Sequence, residues 1–209
     1  VVYPLADGGE GTVQALAKGL DGKLEHVKVT GPLGEKVVCE YAIVGKTNPT
    51  AIIEMAGAAG ITLVPPELRN PMHTTTYGVG EVIKDAITKN CRNFIIGIGG
   101  SATNDGGIGM IQALGAEFLD KSGKQVPFGA AGVEKLSAIN CENMLPELKD
   151  CNFRIACDVD NPLCGENGCS HIFGPQKGAT PELVERMDVW LNRYAELSRF
   201  YNCDPDYPG

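Results

Sequence analysis

The stretch Asn93-Phe-Ile-Ile-Gly-Ile-Gly-Gly-Ser-Ala-Thr-Asn-Asp-Gly-Gly107 constrains this chain more than any other. Its opening residues are β-branched, aromatic or small, the composition of a short buried strand. The chain then turns on Gly97, Gly99 and Gly100 and passes Ser101, Thr103, Asn104 and Asp105. It re-enters regular structure at Gly106, where Ile108, Ile111 and Leu114 are spaced for one helical face. A strand that runs through glycines onto a helix start presents bare backbone N–H groups and a positive dipole end, and such a turn can hold an anion.

The glycines alone decide little. Gly97-Ile-Gly99-Gly-Ser-Ala102 fits the loose dinucleotide pattern G-x-G-x-x-A, a match common by chance. No Gly-Lys-Ser/Thr follows, so this is not a Walker A loop. A pyrophosphate at the helix start would also meet the Asp105 carboxylate. The plain alternative is that Asn104 or Asp105 caps the helix, a contribution of about 1 kcal/mol. Capping needs one such residue, whereas Ser101, Thr103, Asn104 and Asp105 all carry side-chain oxygens. The segment therefore reads as a site.

At 209 residues the chain can bury a substantial core, and its net charge of −8, from 26 acidic and 18 basic residues, argues against a nucleic-acid-binding face. No apolar run approaches membrane-span length and no signal-peptide pattern opens the chain. The eight cysteines form no C-x-x-C pair, which favours reduced thiols in a cytoplasmic protein. The chain opens in an apolar run without Met and ends at Pro208-Gly209, so it reads as the interior of a longer protein.

Further strand–loop–helix junctions recur along the chain. Val1–Leu5 reads as a strand end delivering Ala6-Asp7-Gly-Gly-Glu10-Gly-Thr12 to a helix that Thr12 caps, with Val13, Leu16 and Leu20 on one face. Leu24–Val29 and Val37–Val44 flank Gly31-Pro-Leu-Gly34 as an antiparallel hairpin with a loop longer than two residues, and Thr50–Met55 makes a third strand. The change to helix–strand alternation near Pro71 predicts that this antiparallel group occupies a different layer or domain from the later units. A helix follows, with Val79, Val82, Ile83, Ala86 and Ile87 on its buried face and Asn90 as its stop. Thr74–Thr76 either cap this helix or touch a ligand, with Thr75 the candidate substrate contact. Phe153–Cys157 makes a strand ending in Asp158-Val-Asp160-Asn-Pro162, and two carboxylates so placed can hold a divalent cation or act as a base. Lys177, in Phe173-Gly-Pro-Gln-Lys-Gly178, is the only cation near these loops in sequence. Thr180-Pro-Glu182 then starts a long helix whose core stripe is Leu183, Met187, Leu191 and Tyr194, with Trp190 beside it. Between Leu119 and Lys149 the pattern reads only as loop-rich.

Taken in order, Leu5–Thr12, Val29–Gly34, Arg69–Pro71, Thr74–Gly78, Gly97–Gly107, Cys157–Pro162 and Phe173–Thr180 resemble the type-1 bacterial glycerate kinases. The resemblance spans nearly the whole chain. It implies two α/β domains, one inserted into the other, with a substrate site in the cleft between them. It also implies phosphorylation of D-glycerate from ATP with magnesium, usually giving the 2-phosphate. The expected class is therefore α/β, with Rossmann-like parallel βα units plus a second α/β domain bearing antiparallel strands. Residues 1–22 are assigned to the Rossmann-like domain, 23–71 to the antiparallel segment, and 72–209 to the βα units lining the cleft. The family's upstream Asp-Ser-Phe-Lys-Gly segment and its downstream glycine-rich stretch are not in this sequence, so the resemblance leaves open whether the fragment alone is active.

Phosphoryl transfer needs backbone donors and a cation around the phosphates, carboxylates for metal, and an acceptor for the hydroxyl proton. On that basis Gly99, Gly100 and Ser101 contact a glycerate carboxylate or nucleotide phosphate, and Lys177 balances phosphate charge. Asp7, Glu10, Asn104 and Thr75 complete the substrate-binding set. Asp105, Asp158 and Asp160 are the catalytic candidates, and Asp158 or Asp160 holds Mg2+ or acts as base. The small-molecule partners are D-glycerate and ATP, without nucleic acid or membrane. Two other readings stand beside this one. A nucleotide-dependent oxidoreductase would bind nicotinamide without magnesium, and a non-catalytic acid-binding module would bind glycerate without turning over ATP.

Overall fold

The computed structural model of the chain describes residues 11–201, 204 and 205. An antiparallel hairpin forms one side of its main sheet: β1 (Lys23–Thr30) and β2 (Lys36–Val44) pair with Thr30 opposite Lys36. The connection spans more than two residues, as the pattern predicts, and Gly34 within it takes a left-handed φ of 91°. β3 (Thr50–Glu54) pairs antiparallel with β2 on one edge and parallel with β4 (Asn93–Gly97) on the other. β4 in turn pairs parallel with β7 (Asn152–Ala156), giving the strand order β1-β2-β3-β4-β7.

This single sheet corrects the expectation that the antiparallel strands of residues 23–71 form a separate layer. Ala51, Ile52, Ile53 and Glu54 are all buried, so β3 is a central strand with both edges paired and both faces covered. The change of pattern near Pro71 marks a change of connection, from hairpin to βα crossover, within one mixed sheet. The mixed α/β class itself stands.

Alternation across the strands sends side chains to two layers. On one face Ala42 and Ile52 pack with Val13 and Ala17 of α1 (Thr12–Gly19), with Ile95 against them. Leu20, expected on that face, is exposed instead. Tyr41, Ala51, Ile53, Phe94 and Ile96 meet α3 (Tyr77–Thr88) on the other face, where Val79, Val82, Ile83, Ala86 and Ile87 are buried as the spacing predicts. The helix contains two glycines and several β-branched residues, costing about 0.5–1 kcal/mol each in propensity. Burying each Val or Ile contributes roughly 1.5–3 kcal/mol, so packing prevails. Asn90 stops the helix with φ 65°.

α3 and α4 (Ile108–Ala113) approach closely enough that a Cβ on Gly80 would strike the Met110 carbonyl. Beyond α4 lies a second core. It joins Ile108, the two-stranded sheet β5 (Glu117–Leu119) and β6 (Ala138–Asn140), α5 (Ala130–Lys135), and α7 (Pro181–Ser198). Thr180 caps α7 as expected, accepting from Leu183 N at 3.3 Å. The buried stripe is Val184, Met187, Trp190, Leu191 and Ala195, so Trp190 lies in the core, with the Arg186 guanidinium 4.9 Å from its ring centroid.

Candidate active site

Strand register gathers the chemistry. Glu54 lies beside Gly97 and Gly97 beside Ala156, so β3, β4 and β7 end level and their exit loops leave at one edge. In parallel α/β sheets that carboxyl edge is where ligands bind. A cavity of about 930 Å³ opens there. The β4 loop contributes Gly99–Ser101 and Thr103–Asp105, the β7 loop contributes Asp158 and Asn161, and Lys177 enters from the segment before α7.

The β4 loop is held from several sides. Gly100 turns it with φ 71°. The short helix α2 (Ala56–Ala59) and the residues after it pin its backbone, Ala102 N donating to Ala59 O at 2.8 Å and Ile61 N to Gly100 O at 2.8 Å. Thr74 Oγ1 donates to Ala102 O at 2.8 Å. Asn104 Nδ2 donates to Ser170 Oγ at 2.9 Å, at the start of α6 (Cys169–Phe173). The N–H groups of Gly99, Gly100 and Ser101 meet no backbone acceptor among the described residues, so they remain available to an anion.

Asp105 does not open α4; Gly107 is that helix's N-cap, with φ 79°. The Asp105 carboxylate instead clamps two helix starts together. Its Oδ2 accepts from Thr76 N at 3.0 Å and Thr76 Oγ1 at 2.8 Å, and its Oδ1 accepts from Gly107 N at 3.0 Å. Thr76 Oγ1 in turn accepts from Met110 N at 2.9 Å. The residue is wholly buried, which pushes its carboxyl above the ordinary range against the donors of Thr76, Gly107 and Gly109.

Lys177 is the buried cation of the site. Its Nζ donates to Thr103 O at 2.6 Å, and no carboxylate forms an ion pair with it among the described residues. Burial pulls its ammonium below the ordinary lysine range, opposed by the fields of Cys169 and Asp105. A buried ammonium with one neutral acceptor is costly unless something negative completes it.

The other expected residues divide. Asp158 is exposed and lines the cavity, whereas Asp160 is exposed and does not. Thr75 is fully buried and is not on the cavity wall; its Oγ1 accepts from Tyr77 N at 3.1 Å, beneath Gly109. Asp7 and Glu10 lie outside the described residues. Thr12 does not cap α1, whose N-cap is Gly11. Val13 N donates instead to Glu54 Oε1 at 2.8 Å, so a buried acid at the end of β3 caps α1 from across the fold. Glu54 is the one charged residue of this central strand, directly after the apolar run Ala51-Ile-Ile53, and that contrast is its sequence signal.

No cluster of three or more His, Cys, Asp or Glu side chains suited to a metal occurs among the described residues. Magnesium does not require one, since it is commonly held by one or two carboxylates together with substrate phosphates and water. Asp158 fits that donor set, while Asp105, the other carboxylate lining the cavity among the described residues, is engaged by Thr76 and Gly107.

A family model described as the glycerate kinase family matches residues 1–205. The chain belongs to the glycerate kinase family. It is 53% identical over 198 residues to a glycerate kinase of Haemophilus influenzae, covering 95% of this chain and 52% of that protein. It is 52% identical over 197 residues to glycerate 2-kinase of Escherichia coli, covering 94% and 51%. A crystal structure of a "putative glycerate kinase 2" from Salmonella typhimurium LT2 superposes with a TM-score of 0.94 at 49% identity, covering 99% of this chain and 56% of that one. The chain thus spans about half the length of the relatives it matches. The oxidoreductase reading of Gly97–Ala102 finds no support: Ala102 N is tied to Ala59 O, and the next helix starts only at Ile108. No helix among the described residues is long and apolar enough to cross a membrane. Described Cys39, Cys91, Cys141, Cys151, Cys157, Cys164 and Cys169 are free thiols.

Proposed function

We propose that the protein is a cytoplasmic, magnesium-dependent glycerate kinase that converts D-glycerate and ATP to 2-phosphoglycerate and ADP. The observation that carries this reading is the buried Lys177 ammonium, which among the described residues is paired only with Thr103 O, on the wall of a cavity also lined by Gly99–Ser101 and Asp158. Kinase chemistry consists mainly of positioning and charge stabilisation, and those are the groups it needs.

In this mechanism the N–H groups of Gly99–Ser101 and the Lys177 ammonium bind oxyanions, either the glycerate carboxylate or a nucleotide phosphate. The glycerate 2-hydroxyl oxygen forms a bond to the γ-phosphorus as the bridging P–O bond to ADP breaks. Asp158 accepts the hydroxyl proton, or else would hold magnesium, which would neutralise charge on the phosphates while the hydroxyl proton passes to water or to the transferred phosphoryl group. Asp105 acts indirectly, locking the loop in the shape that aims its donors. Asp160 and Thr75 have weaker claims as contacts, because neither lies on the cavity wall, whereas Asp7 and Glu10 stay in the proposed substrate-binding set.

The test is ADP release with D-glycerate and ATP, with and without magnesium, on this chain and on the full-length protein. Release that needs both D-glycerate and magnesium supports the reading. Tight D-glycerate binding to the full-length protein without ADP release would replace it with an acid-binding module.

A further inference from the structure

Asn104 is 5% exposed and forms part of the cavity wall. Its Nδ2 donates to Ser170 Oγ at 2.9 Å and to Met187 Sδ at 3.5 Å. Both of those residues are buried and neither lines the cavity, so the amide nitrogen faces into the protein. An amide nitrogen carries two hydrogens, and here both are used. The thioether fixes which way round the amide sits. Its sulfur only accepts, so an amide turned over would set Oδ1 against Met187 Sδ, acceptor against acceptor.

The oxygen is left facing the other way. Asn104 Oδ1 accepts from no donor among the described residues, yet it is not sealed in the interior, so it opens on the cavity. An acceptor held in this way repels a carboxylate or phosphate oxygen and suits an O–H. Its neighbour has the opposite character. Lys177 Nζ donates to Thr103 O, the carbonyl of the peptide unit that carries Asn104 N. The ammonium and the amide oxygen thus sit about one peptide unit on one wall, the first suited to an anion and the second to a hydroxyl.

We propose that Asn104 Oδ1 accepts a hydrogen bond from a hydroxyl of the acid substrate whose anionic end is held at Lys177. Ser170 is the positioning residue that keeps this oxygen, rather than the amide N–H, turned to the cavity. Together they select a hydroxy acid over the same acid without that hydroxyl. The analogue leaves the buried acceptor unpaired, and the selectivity comes from that loss. The identity of the acid rests on the kinase reading, whereas the direction of the hydrogen bond does not.

The test uses the full-length protein and calorimetric Kd values for three acids: D-glycerate, D-lactate, which lacks the 3-hydroxyl, and 3-hydroxypropanoate, which lacks the 2-hydroxyl. The wild type should bind one analogue about tenfold or more weaker than D-glycerate, and that analogue identifies the hydroxyl concerned. In Asn104→Ala the ratio should fall to within about twofold, while the analogue's own Kd changes little because Lys177 is untouched. Ser170→Ala should lower the ratio in the same direction by a smaller factor, and an unchanged ratio there overturns its positioning role. A purely structural role for Asn104 weakens all three acids by one factor and keeps the wild-type ratio, which overturns the proposal. So does a wild type that binds D-glycerate no better than both analogues, a result that needs no variant to fold. Undiminished discrimination in Asn104→Ala alongside D-glycerate-dependent ADP release overturns this inference and leaves the kinase reading standing. Lost discrimination in that variant, with no ADP release from the wild type, does the reverse.

Discussion

Two loops leave neighbouring parallel strands at the same level, yet they are built in opposite ways. The β4 loop emerges from a central strand, and Ala102, Thr103, Asn104 and Asp105 in it are buried. It is tied to α2, α3, α6 and Lys177 by hydrogen bonds of 2.6–3.0 Å. The β7 loop emerges from an edge strand in which Asn152–Ile155 are all exposed. Its own ties are few, with Cys157 Sγ to Val159 O at 3.3 Å and Asn161 Nδ2 to Asn167 O at 3.0 Å. The contrast separates two tasks. The first loop is a preorganised electrostatic frame whose donors need no reorganisation when an anion arrives. The second presents an acid to solvent and to the cavity at once.

The largest effect is expected from removing the frame's charge. Lys177→Met should lower kcat/KM of the full-length enzyme by about a hundredfold to a thousandfold, roughly 2.7–4 kcal/mol. Steady-state kinetics check this, and wild-type turnover would mean that Lys177 is only structural. The same residue predicts a pH signature. Because burial lowers its pKa, the folded protein releases this proton before the unfolded chain does. Between the lowered value and the ordinary lysine value of about 10.4, stability should therefore rise with pH while anion binding falls. An alkaline loss of substrate affinity that begins below the ordinary lysine range, and disappears in Lys177→Met, is the expected profile.

Next comes the clamp. In Asp105→Asn one carboxylate oxygen becomes an amide N–H that cannot accept from Thr76 or Gly107. The expected loss is about 3 kcal/mol of stability, a melting-point drop of roughly 6–12 °C for a protein of this size. Calorimetry and kinetics together separate the possibilities. A large fall in kcat with an unchanged melting point would return Asp105 to direct chemistry.

Why some of this could be read from the chain and some could not comes down to the range of the interactions. The buried stripe of α3, the strand β4 and the Thr180 cap are local patterns, set by neighbours within four residues, and they stand as read. The six-residue helix α5 and the three-residue strand β6 are too short to show a period, so Leu119–Lys149 reads as loop-rich although it holds both. Asp105 and Thr76 are 29 positions apart, and Val13 and Glu54 are 41 apart. No local spacing announces such pairs, so Asp105 read as a cap for its own helix and Thr12 as the cap of α1. For the site, the glycine loop and Lys177 were legible because glycines and an isolated lysine are conspicuous by type. Asp158 and Asp160 looked equivalent because alternation along an exit loop does not say which residue faces inward.

That equivalence supplies the smallest predicted effect and the sharpest test of the two-loop contrast. Asp158 and Asp160 sit on the same exposed loop, two residues apart, so salt, solvent and chain stability act on them almost alike. Only their relation to the cavity differs, since Asp158 lines it and Asp160 does not. Asp158→Asn should reduce kcat by about a hundredfold, the lower end of what a positioned acid–base group supplies. Asp160→Asn should change kcat by no more than about twofold, as expected for an exposed surface substitution. Neither should shift the melting point appreciably. Equal losses in both variants would mean that the loop rearranges on substrate binding so that both acids face the chemistry. An Asp160 effect larger than that of Asp158 would reverse the assignment, because the loop's geometry without substrate would then be the wrong guide to its catalytic face.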